Sequence, residues 1–118
     1  PGAAASTESA PLEIEPADLA DRLAAGDPVF LVDVREPWEH ETAALDDAVL
    51  APTSLAPTSF AAIEPPPGAL VVCYCHHGIR SLAAARYLRQ RGIARAAVSL
   101  RGGIDRWSEE IDPTVPRY

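Results

Sequence analysis

The chain contains no lysine, methionine or asparagine, and it has only two cysteines among its 118 residues. These two, Cys73 and Cys75, are one residue apart, which is a poor basis for a disulfide framework. Nothing in the sequence therefore favours an oxidising compartment, and we expect a cytoplasmic location. Because all ten basic residues are Arg, we attribute this bias to a GC-rich coding sequence rather than to a function.

Long apolar runs are missing as well. No run approaches the roughly 20 residues that span a bilayer, and residues 1–10 lack the basic start and the apolar stretch of a secretory signal. We therefore expect no membrane partner. Residues 1–11 are predicted to form a disordered tail. Residues 12–118 are predicted to form a single domain, long enough to bury a core without disulfides.

The chain has an excess of acidic residues. Its formal net charge of −7 argues against a nucleic acid as a main partner. The charge is uneven, because residues 80–106 contain seven Arg and a single acid, Asp105, a net +6 that leaves −13 for the rest. A helix C-terminus accounts for Arg89 and Arg91. It does not account for Arg80, which lies at the predicted start of that helix.

Strand and helix patterns alternate along the chain. The apolar runs PVFLVDV (28–34) and ALVVCYC (69–75) predict strands buried on both faces, as in parallel sheets. The pattern predicts an α/β fold with a central, mostly parallel sheet of about five strands and helices on both faces. Further strands are predicted within 11–16, 48–52 and 96–100, helices within 16–26, 37–43, 59–64, 81–92 and 104–110, and an extended tail at 112–118.

Two segments follow the buried strands directly, DVRE (33–36) and CHHGIRS (75–81). Ligands of parallel sheets bind outside the carboxyl ends of the strands. Both segments are therefore candidates for a site.

The second segment has a composition that raises the question of a metal or a redox pair. Adjacent residues of an extended chain point to opposite faces, so two Cys and two His within five residues do not easily converge on one ion. The only other histidine is His40. The Cys-x-Cys spacing also differs from the Cys-x-x-Cys of a dithiol site at a helix start. We expect Cys73 to be a core residue, and we expect neither a metal nor a cofactor.

Cys75 is instead predicted to be a nucleophile. It ends a buried strand, and a helix begins about five residues later, so the loop between them must curl with its N–H groups inward. Gly78 supplies the conformational freedom for this curl. Inward N–H groups and a helix N-terminus form an anion-binding nest. With Arg80 at its rim, the nest favours the thiolate form of Cys75.

Three segments carry a resemblance to a known family. CHHGIRS matches the Cys-x-x-Gly-x-Arg-Ser loop of the rhodanese sulfurtransferases, LVDVREPWEH resembles their Leu-x-Asp-Val-Arg-Glu strand and turn, and LRGGIDRW is similar to their Gly-Gly-x-x-x-Trp segment. The match runs from about Leu12 to Tyr118. It departs at residues 43–48, where the chain has AALDDA and the family usually has Gly-His-Ile-Pro-Gly-Ala.

The resemblance implies a rhodanese-like fold and a double displacement. Cys75 would take the outer sulfur of thiosulfate or a similar small anionic donor, hold it as a persulfide, and pass it to cyanide or to a thiol of a small molecule or protein. The N–H groups of residues 76–80 would hold the persulfide. The implied catalytic residue is Cys75, the anion-binding loop is His76, His77, Gly78, Ile79 and Arg80, and the supporting residues are Ser81, Asp33 and Arg35.

The sequence is compatible with several alternatives. The domain could be a persulfide carrier or a redox-sensing interaction module that does not turn over thiosulfate. A cysteine phosphatase is disfavoured, because those enzymes place five residues between Cys and Arg and this chain places four. Arg80 either attracts the donor or forms a structural ion pair with Asp33 or Glu36. His76 and His77 either contact substrate or are merely exposed.

Overall fold

The computed structural model describes residues 11–118. The predicted disordered tail, residues 1–11, therefore lies outside the described residues except for Pro11. Five strands are formed within the described part, each between segments of helix or turn. Their bounds are Glu13–Ile14 (β1), Val29–Asp33 (β2), Val49–Leu50 (β3), Leu70–Tyr74 (β4) and Val98–Leu100 (β5).

Helices alternate with these strands. The first two begin at prolines, which suit the first helical position because they have no N–H to leave unpaired. None of the helices within residues 11–118 combines the length and the apolarity that crossing a bilayer requires. The α-helices are Pro16–Ala24 (α1), Pro37–Thr42 (α2), Thr58–Ala61 (α3), Ile79–Gln90 (α4) and Gly103–Glu110 (α5), with a 3₁₀ helix at Thr53–Leu55.

The strands form one sheet in the order β1-β5-β4-β2-β3. Every pairing in it is parallel, so the predicted α/β fold with a parallel sheet of five strands is confirmed. The central strands β2 and β4 pair over five residues, from Val29 opposite Leu70 to Asp33 opposite Tyr74. Asp33 and Cys75 consequently emerge from neighbouring strands at the same edge of the sheet.

The core is divided between the two faces of the sheet. Alternate residues of β4 enter opposite clusters, as the two-residue period of a strand requires. One cluster joins Val71, Cys73 and Cys75 to side chains of α3 and α4, such as Phe60 and Leu88. The other cluster contains Val72 and Tyr74 together with Leu19 of α1 and Trp107 of α5. Helices therefore cover both faces, as predicted.

The C-terminal segment differs from its prediction. An extended tail was predicted for residues 112–118, but Thr114 N donates to Asp112 Oδ1 (3.1 Å) and Val115 N donates to Asp112 O (3.1 Å). These bonds form a turn. An Asp side chain that accepts a hydrogen bond from the backbone N–H two residues later, as Asp112 does here, is typical of such turns. Ser108 Oγ of α5 also donates to Val115 O. The segment therefore folds back beside α5 toward the carboxyl edge of the sheet.

Candidate active site

Cys75 lies immediately after β4, and only 1% of its surface is exposed. Its Sγ accepts hydrogen bonds from Gly78 N (3.1 Å) and Ser81 N (3.4 Å), and it lies 3.3 Å from Ser81 Oγ. Backbone donors at the start of a helix stabilise negative charge on the sulfur. The sequence assigned such donors to residues 76–80. Among the described residues, the two that reach Sγ itself are Gly78, within that range, and Ser81, one position beyond it.

Gly78 determines the path of the loop. Its φ of +102° is left-handed, and it is the residue that precedes α4. A Cβ atom at this position would lie 3.2 Å from Gly102 N and 3.4 Å from Leu100 O. The left-handed backbone therefore favours glycine, and the space for a side chain is tight. In this conformation the N–H group of Gly78 reaches Cys75 Sγ.

The loop is held from a second side by the N-terminus of α5. Ile104 N donates to Cys75 O (2.9 Å) and Asp105 N donates to His76 O (3.1 Å). A Cβ atom on Gly103 would collide with both of these carbonyl groups. The Gly-Gly pair therefore permits a close backbone approach, and the approach fixes the carbonyl groups so that the following N–H groups turn toward the sulfur.

A pair of buried serines lies beneath the loop. Ser81 and Ser99 are both fully buried, and their hydroxyl oxygens are 2.7 Å apart. Ser99 Oγ also lies within a weak hydrogen-bond distance of Gly78 O (3.5 Å). Ser81 was predicted as a supporting residue, whereas Ser99 of β5 was not. Its only signal in the sequence is a polar residue in an otherwise apolar strand.

Cys73 is separated from this chemistry. It is fully buried in β4 and, like Cys75, it is a free cysteine. Burial raises the pKa of its thiol to about 12, so at neutral pH the sulfur stays protonated. The prediction that Cys73 is a core residue is confirmed.

Arg80 forms a two-bond ion pair with Glu39 of α2, with Nη1 2.8 Å from Oε1 and Nη2 3.1 Å from Oε2. The prediction of Asp33 or Glu36 as its partner was wrong. Asp33 is occupied by other groups, and Glu36 accepts from Ser54 Oγ (2.6 Å). Glu39, in the first turn of α2, faces Arg80 instead.

The carboxylate of Glu39 is buried and saturated with donors. Glu36 N donates to Oε1 (3.0 Å) and Tyr118 Oη donates to Oε2 (2.7 Å), in addition to the two bonds from Arg80. The hydrogen bonds from Arg80 lower the pKa of Glu39 to about 2, against the opposing effect of burial. The same bonds raise the pKa of Arg80. Both groups stay charged across the physiological range.

Asp33 and Arg35 form a second, fully buried ion pair. Arg35 Nε donates to Asp33 Oδ1 (2.9 Å) and Nη2 donates to Oδ2 (2.7 Å). Burial disfavours the charged guanidinium, but the hydrogen bonds to Asp33 and Tyr118 outweigh it and raise the pKa of Arg35. His40 Nδ1 (2.8 Å) and Tyr74 Oη (3.2 Å) also contact Asp33 Oδ2. None of these bonds among the described residues runs directly to residues 75–81, so any support to the loop is indirect.

The atypical segment, residues 43–48, is fixed by this pair and by Tyr74. Arg35 Nη2 donates to the first carbonyl oxygen of the segment, and Leu45 N donates to Tyr74 Oη (3.1 Å). Asp47 has a left-handed φ of +63°, at the position where the family pattern usually has its second glycine. Asp is one of the few residues that tolerate this conformation.

His76, His77 and Asp105 lie together beside the loop. Their potential ligand atoms are all within 4.8 Å of one another. The sequence did not predict that Asp105 lies beside the two histidines. The two imidazole rings are stacked, with centroids 4.0 Å apart and planes at 21°. Asp105 is in addition bound by Arg117 at 2.9 and 3.1 Å.

His76 is the more enclosed of the two histidines. Its Nε2 is the one buried side-chain nitrogen or oxygen in residues 11–118 for which no hydrogen-bond partner is found. Burial, with a smaller contribution from His77, lowers the pKa of His76, so the ring is neutral at pH 7. Ile79, by contrast, is 82% exposed at the outer side of the loop.

Residues 15–110 match the sequence model of the family described as Rhodanese-like domain. The chain belongs to this family. A sulfurtransferase of Allochromatium vinosum is 40% identical to it over 103 residues, covering 87% of this chain and 94% of that protein. The solved structure of a rhodanese-related protein of Thermoplasma volcanium is similar to this one, with a TM-score of 0.73 at 30% identity. The match covers 90% of this chain and 98% of the Thermoplasma chain.

One longer relative also matches this rhodanese-like domain. The probable adenylyltransferase/sulfurtransferase MoeZ of Mycobacterium tuberculosis is 34% identical over 105 residues, covering 89% of this chain and 26% of that protein. The chain thus spans about a quarter of MoeZ and nearly all of the first two relatives. The rhodanese-like fold inferred from the three sequence motifs is confirmed.

Proposed function

We propose that this rhodanese-like domain is a sulfurtransferase that moves sulfane sulfur through a persulfide on Cys75. The observation that carries the proposal is the environment of Cys75 Sγ, which accepts hydrogen bonds from Gly78 N and Ser81 N at the N-terminus of α4. The match to the family and the sulfurtransferase of Allochromatium vinosum support the same activity. The donor is thiosulfate or a similar small anion, and the acceptor is cyanide or a thiol.

The reaction has two displacements. The Cys75 thiolate attacks the outer sulfur of thiosulfate, and the sulfur–sulfur bond of the donor breaks with its electron pair leaving on sulfite. The negative charge then resides on the outer sulfur of the persulfide. In the second step a thiolate or cyanide attacks that outer sulfur, and Cys75 leaves as a thiolate. Because sulfite leaves before the acceptor reacts, ping-pong kinetics follow.

The residues of the loop stabilise charge in this scheme. The N–H groups of Gly78 and Ser81 hold the sulfur of Cys75, while His76, His77 and Ile79 border the path of donor and acceptor. Arg80 supplies positive charge for the anionic donor.

The supporting residues act at a distance from the sulfur. Asp33 and Arg35 stabilise the neighbouring strand end. Ser81 Oγ, which lies 3.3 Å from Cys75 Sγ, supports the thiolate from beneath the loop.

Because both cysteines are free, we place the protein in the reducing cytoplasm. Its partners are then the sulfur donor and a thiol acceptor, either a small molecule or a protein. We include no nucleic acid and no membrane among its partners.

Intact-mass measurement after incubation with thiosulfate tests the persulfide. We expect a gain of about 32 Da, one sulfur atom, on the wild-type protein and on Cys73→Ser, and no gain on Cys75→Ser. Cys73→Ser is the matched control, because it removes the other thiol two residues away. Retention of the adduct by Cys75→Ser would contradict the assignment.

A persulfide carrier or redox-sensing interaction module is the second candidate. The burial of Cys75 beside the strongly exposed Ile79 favours a reaction that requires contact with a protein partner. Steady-state formation of thiocyanate from thiosulfate and cyanide separates the two candidates. Negligible turnover by a protein that readily forms the adduct would favour the carrier, and sustained turnover the enzyme.

A further inference from the structure

Tyr118 lies at the mouth of the site although it is far from the other site residues in sequence. Its hydroxyl accepts a hydrogen bond from Arg35 Nη1 (2.8 Å) and donates one to Glu39 Oε2 (2.7 Å). These partners precede it by 83 and 79 residues. No motif in the sequence indicated a role for this residue.

The segment before Tyr118 is fastened at several points. The turn at Asp112 reverses the chain after α5, and Ser108 Oγ binds Val115 O. Arg117 forms a two-bond ion pair with Asp105 beside the histidines. The location of Tyr118 is therefore determined by contacts on both sides of Pro116. The hydrogen bonds of its hydroxyl are not the only contacts that hold the ring in place.

The ring of Tyr118 is also part of the wall of the site. It stacks on His76, with centroids 4.0 Å apart and planes at 11°, and it meets Trp38 edge-on at 5.9 Å. Burial raises the pKa of its phenol to about 12. The hydroxyl thus keeps its proton at neutral pH and can donate to Glu39 while it accepts from Arg35.

The hydroxyl connects the two ion pairs of the site. Asp33 and Arg35 form one pair at the end of β2, and Glu39 and Arg80 form the other between α2 and α4. Tyr118 Oη bonds to the guanidinium of the first pair and to the carboxylate of the second. A continuous chain of charge-assisted hydrogen bonds therefore runs from the buried strand end to Arg80, five residues after Cys75.

We propose that Tyr118 is a positioning residue, whose hydroxyl fixes the carboxylate of Glu39 and through it the guanidinium of Arg80 at the entrance to Cys75. The functional side of this inference rests on the proposed sulfur transfer. Without the hydroxyl, Arg35 Nη1 and Glu39 Oε2 are each one partner short. The carboxylate then turns toward Arg35, and Arg80 loses its fixed orientation toward an incoming anion.

Alkylation of Cys75 measures this effect without any sulfur donor. Iodoacetate is anionic and iodoacetamide is neutral, so the ratio of their rates reports the positive charge near the sulfur, whereas a general change in accessibility affects both alike. We expect Tyr118→Phe to lower the ratio about fivefold, the size expected from one hydrogen bond of ordinary net strength. Peptide mapping confirms that the label is on Cys75 rather than on the protonated, buried Cys73.

Two further variants identify the route of the effect. Arg80→Gln should lower the ratio at least as much as Tyr118→Phe, and the double variant should be no lower than Arg80→Gln alone. Tyr87→Phe is the matched control. Tyr87 belongs to α4, where it packs on Phe60 and lies beneath the guanidinium of Arg91. An unchanged ratio in Tyr118→Phe, even with a lower melting temperature, would overturn the proposal, as would fully additive losses in the double variant.

A kinetic measurement adds the link to sulfur transfer. With thiosulfate as the donor, we expect Tyr118→Phe to raise KM about fivefold and to leave kcat nearly unchanged, since the sulfur and its N–H donors are not altered. A fall in kcat alone would contradict a role in positioning Arg80. If the wild-type protein forms no persulfide, the proposed function fails, and the alkylation ratio still decides the role of Tyr118.

Discussion

Cys73 and Cys75 show how two identical side chains on one strand acquire different chemistry. Both face the same cluster of the core, both are buried, and they are two residues apart. Only Cys75 lies where the strand has ended and backbone N–H groups become available to its sulfur. The difference therefore comes from the loop that follows, and in particular from the backbone of Gly78.

Substitution of Gly78 tests that dependence. Gly78→Ala combines a left-handed backbone with a Cβ atom 3.2 Å from Gly102 N, so we expect a loss of more than about 2 kcal/mol in the free energy of unfolding. The N–H group should also move away from Cys75 Sγ, which slows adduct formation with thiosulfate. Urea denaturation and the time course of the intact mass measure the two effects.

Gly68→Ala is the control for this experiment. Gly68 has a similar left-handed φ of +81°, but a Cβ atom there meets nothing within 4 Å. We expect it to cost about 1 kcal/mol through backbone strain alone and to leave the rate of adduct formation unchanged. Equal effects of the two substitutions on that rate would show that the crowding at Gly78 is irrelevant to the site.

At the scale of elements, the parallel sheet and the end of β4 could be predicted because their signals are local. The apolar runs that form β2 and β4 are continuous. A strand-ending Cys followed by a glycine and then by an Arg five residues after the Cys indicates an anion-binding loop. The helix α4 nevertheless begins at Ile79, two residues before the predicted start. Gly78 directly precedes the helix, and its left-handed conformation turns the chain into α4 at Ile79. The composition of the segment had indicated a start at Ser81.

The contacts of Glu39 and Tyr118 could not be predicted, because they depend on how separate elements pack. Arg80 could have paired with any of 17 acidic residues, and its partner is set by the rotation of α2 about its axis. The partners of Tyr118 depend on a turn after α5 that returns the chain to the site. Neither the rotation nor the return leaves a periodic pattern in the sequence.

The ion pair of Glu39 and Arg80 joins α2 to α4 and makes stability depend on pH. The pKa of Glu39 falls from 4.5 to about 2 on folding, so its contribution is complete above pH 4.5 and is lost as the pH falls toward 2. By this linkage the contribution is on the order of 3 kcal/mol. The Glu39 side chain is only 6% exposed but that of Arg80 is 36% exposed, so solvent screening makes this figure an upper value.

Glu39→Gln measures this contribution. We expect the variant to be less stable than the wild-type protein by on the order of 3 kcal/mol at pH 6, and the difference to shrink steadily between pH 4.5 and pH 2. Urea denaturation at a series of pH values provides the comparison. A gap that stays constant over this range would mean that the charge of Glu39 is not what stabilises the junction of the two helices.

At the scale of the whole molecule, three of the seven arginines of the basic block, residues 80–106, form ion pairs with acidic side chains of the described residues, 11–118. Arg80 pairs with Glu39, Arg101 with Glu13 and Glu15, and Arg106 with Glu15 and Glu110. The acidic partners come mostly from segments distant in sequence. These pairs therefore offset part of the positive charge of the block. They also join segments that are far apart in the sequence.

Because β4 contributes to both clusters, we expect the domain to unfold as one unit. Leu88→Ala removes a fully buried side chain from the cluster beneath α4, which should cost about 2–5 kcal/mol. The loss should appear equally in the circular dichroism of the helices and in the fluorescence of Trp107, which is buried in the opposite cluster. Leu19→Ala provides the matched change on the face of Trp107. If the two probes separate in Leu88→Ala but coincide in Leu19→Ala, the faces unfold independently, and the shared central strand does not couple them.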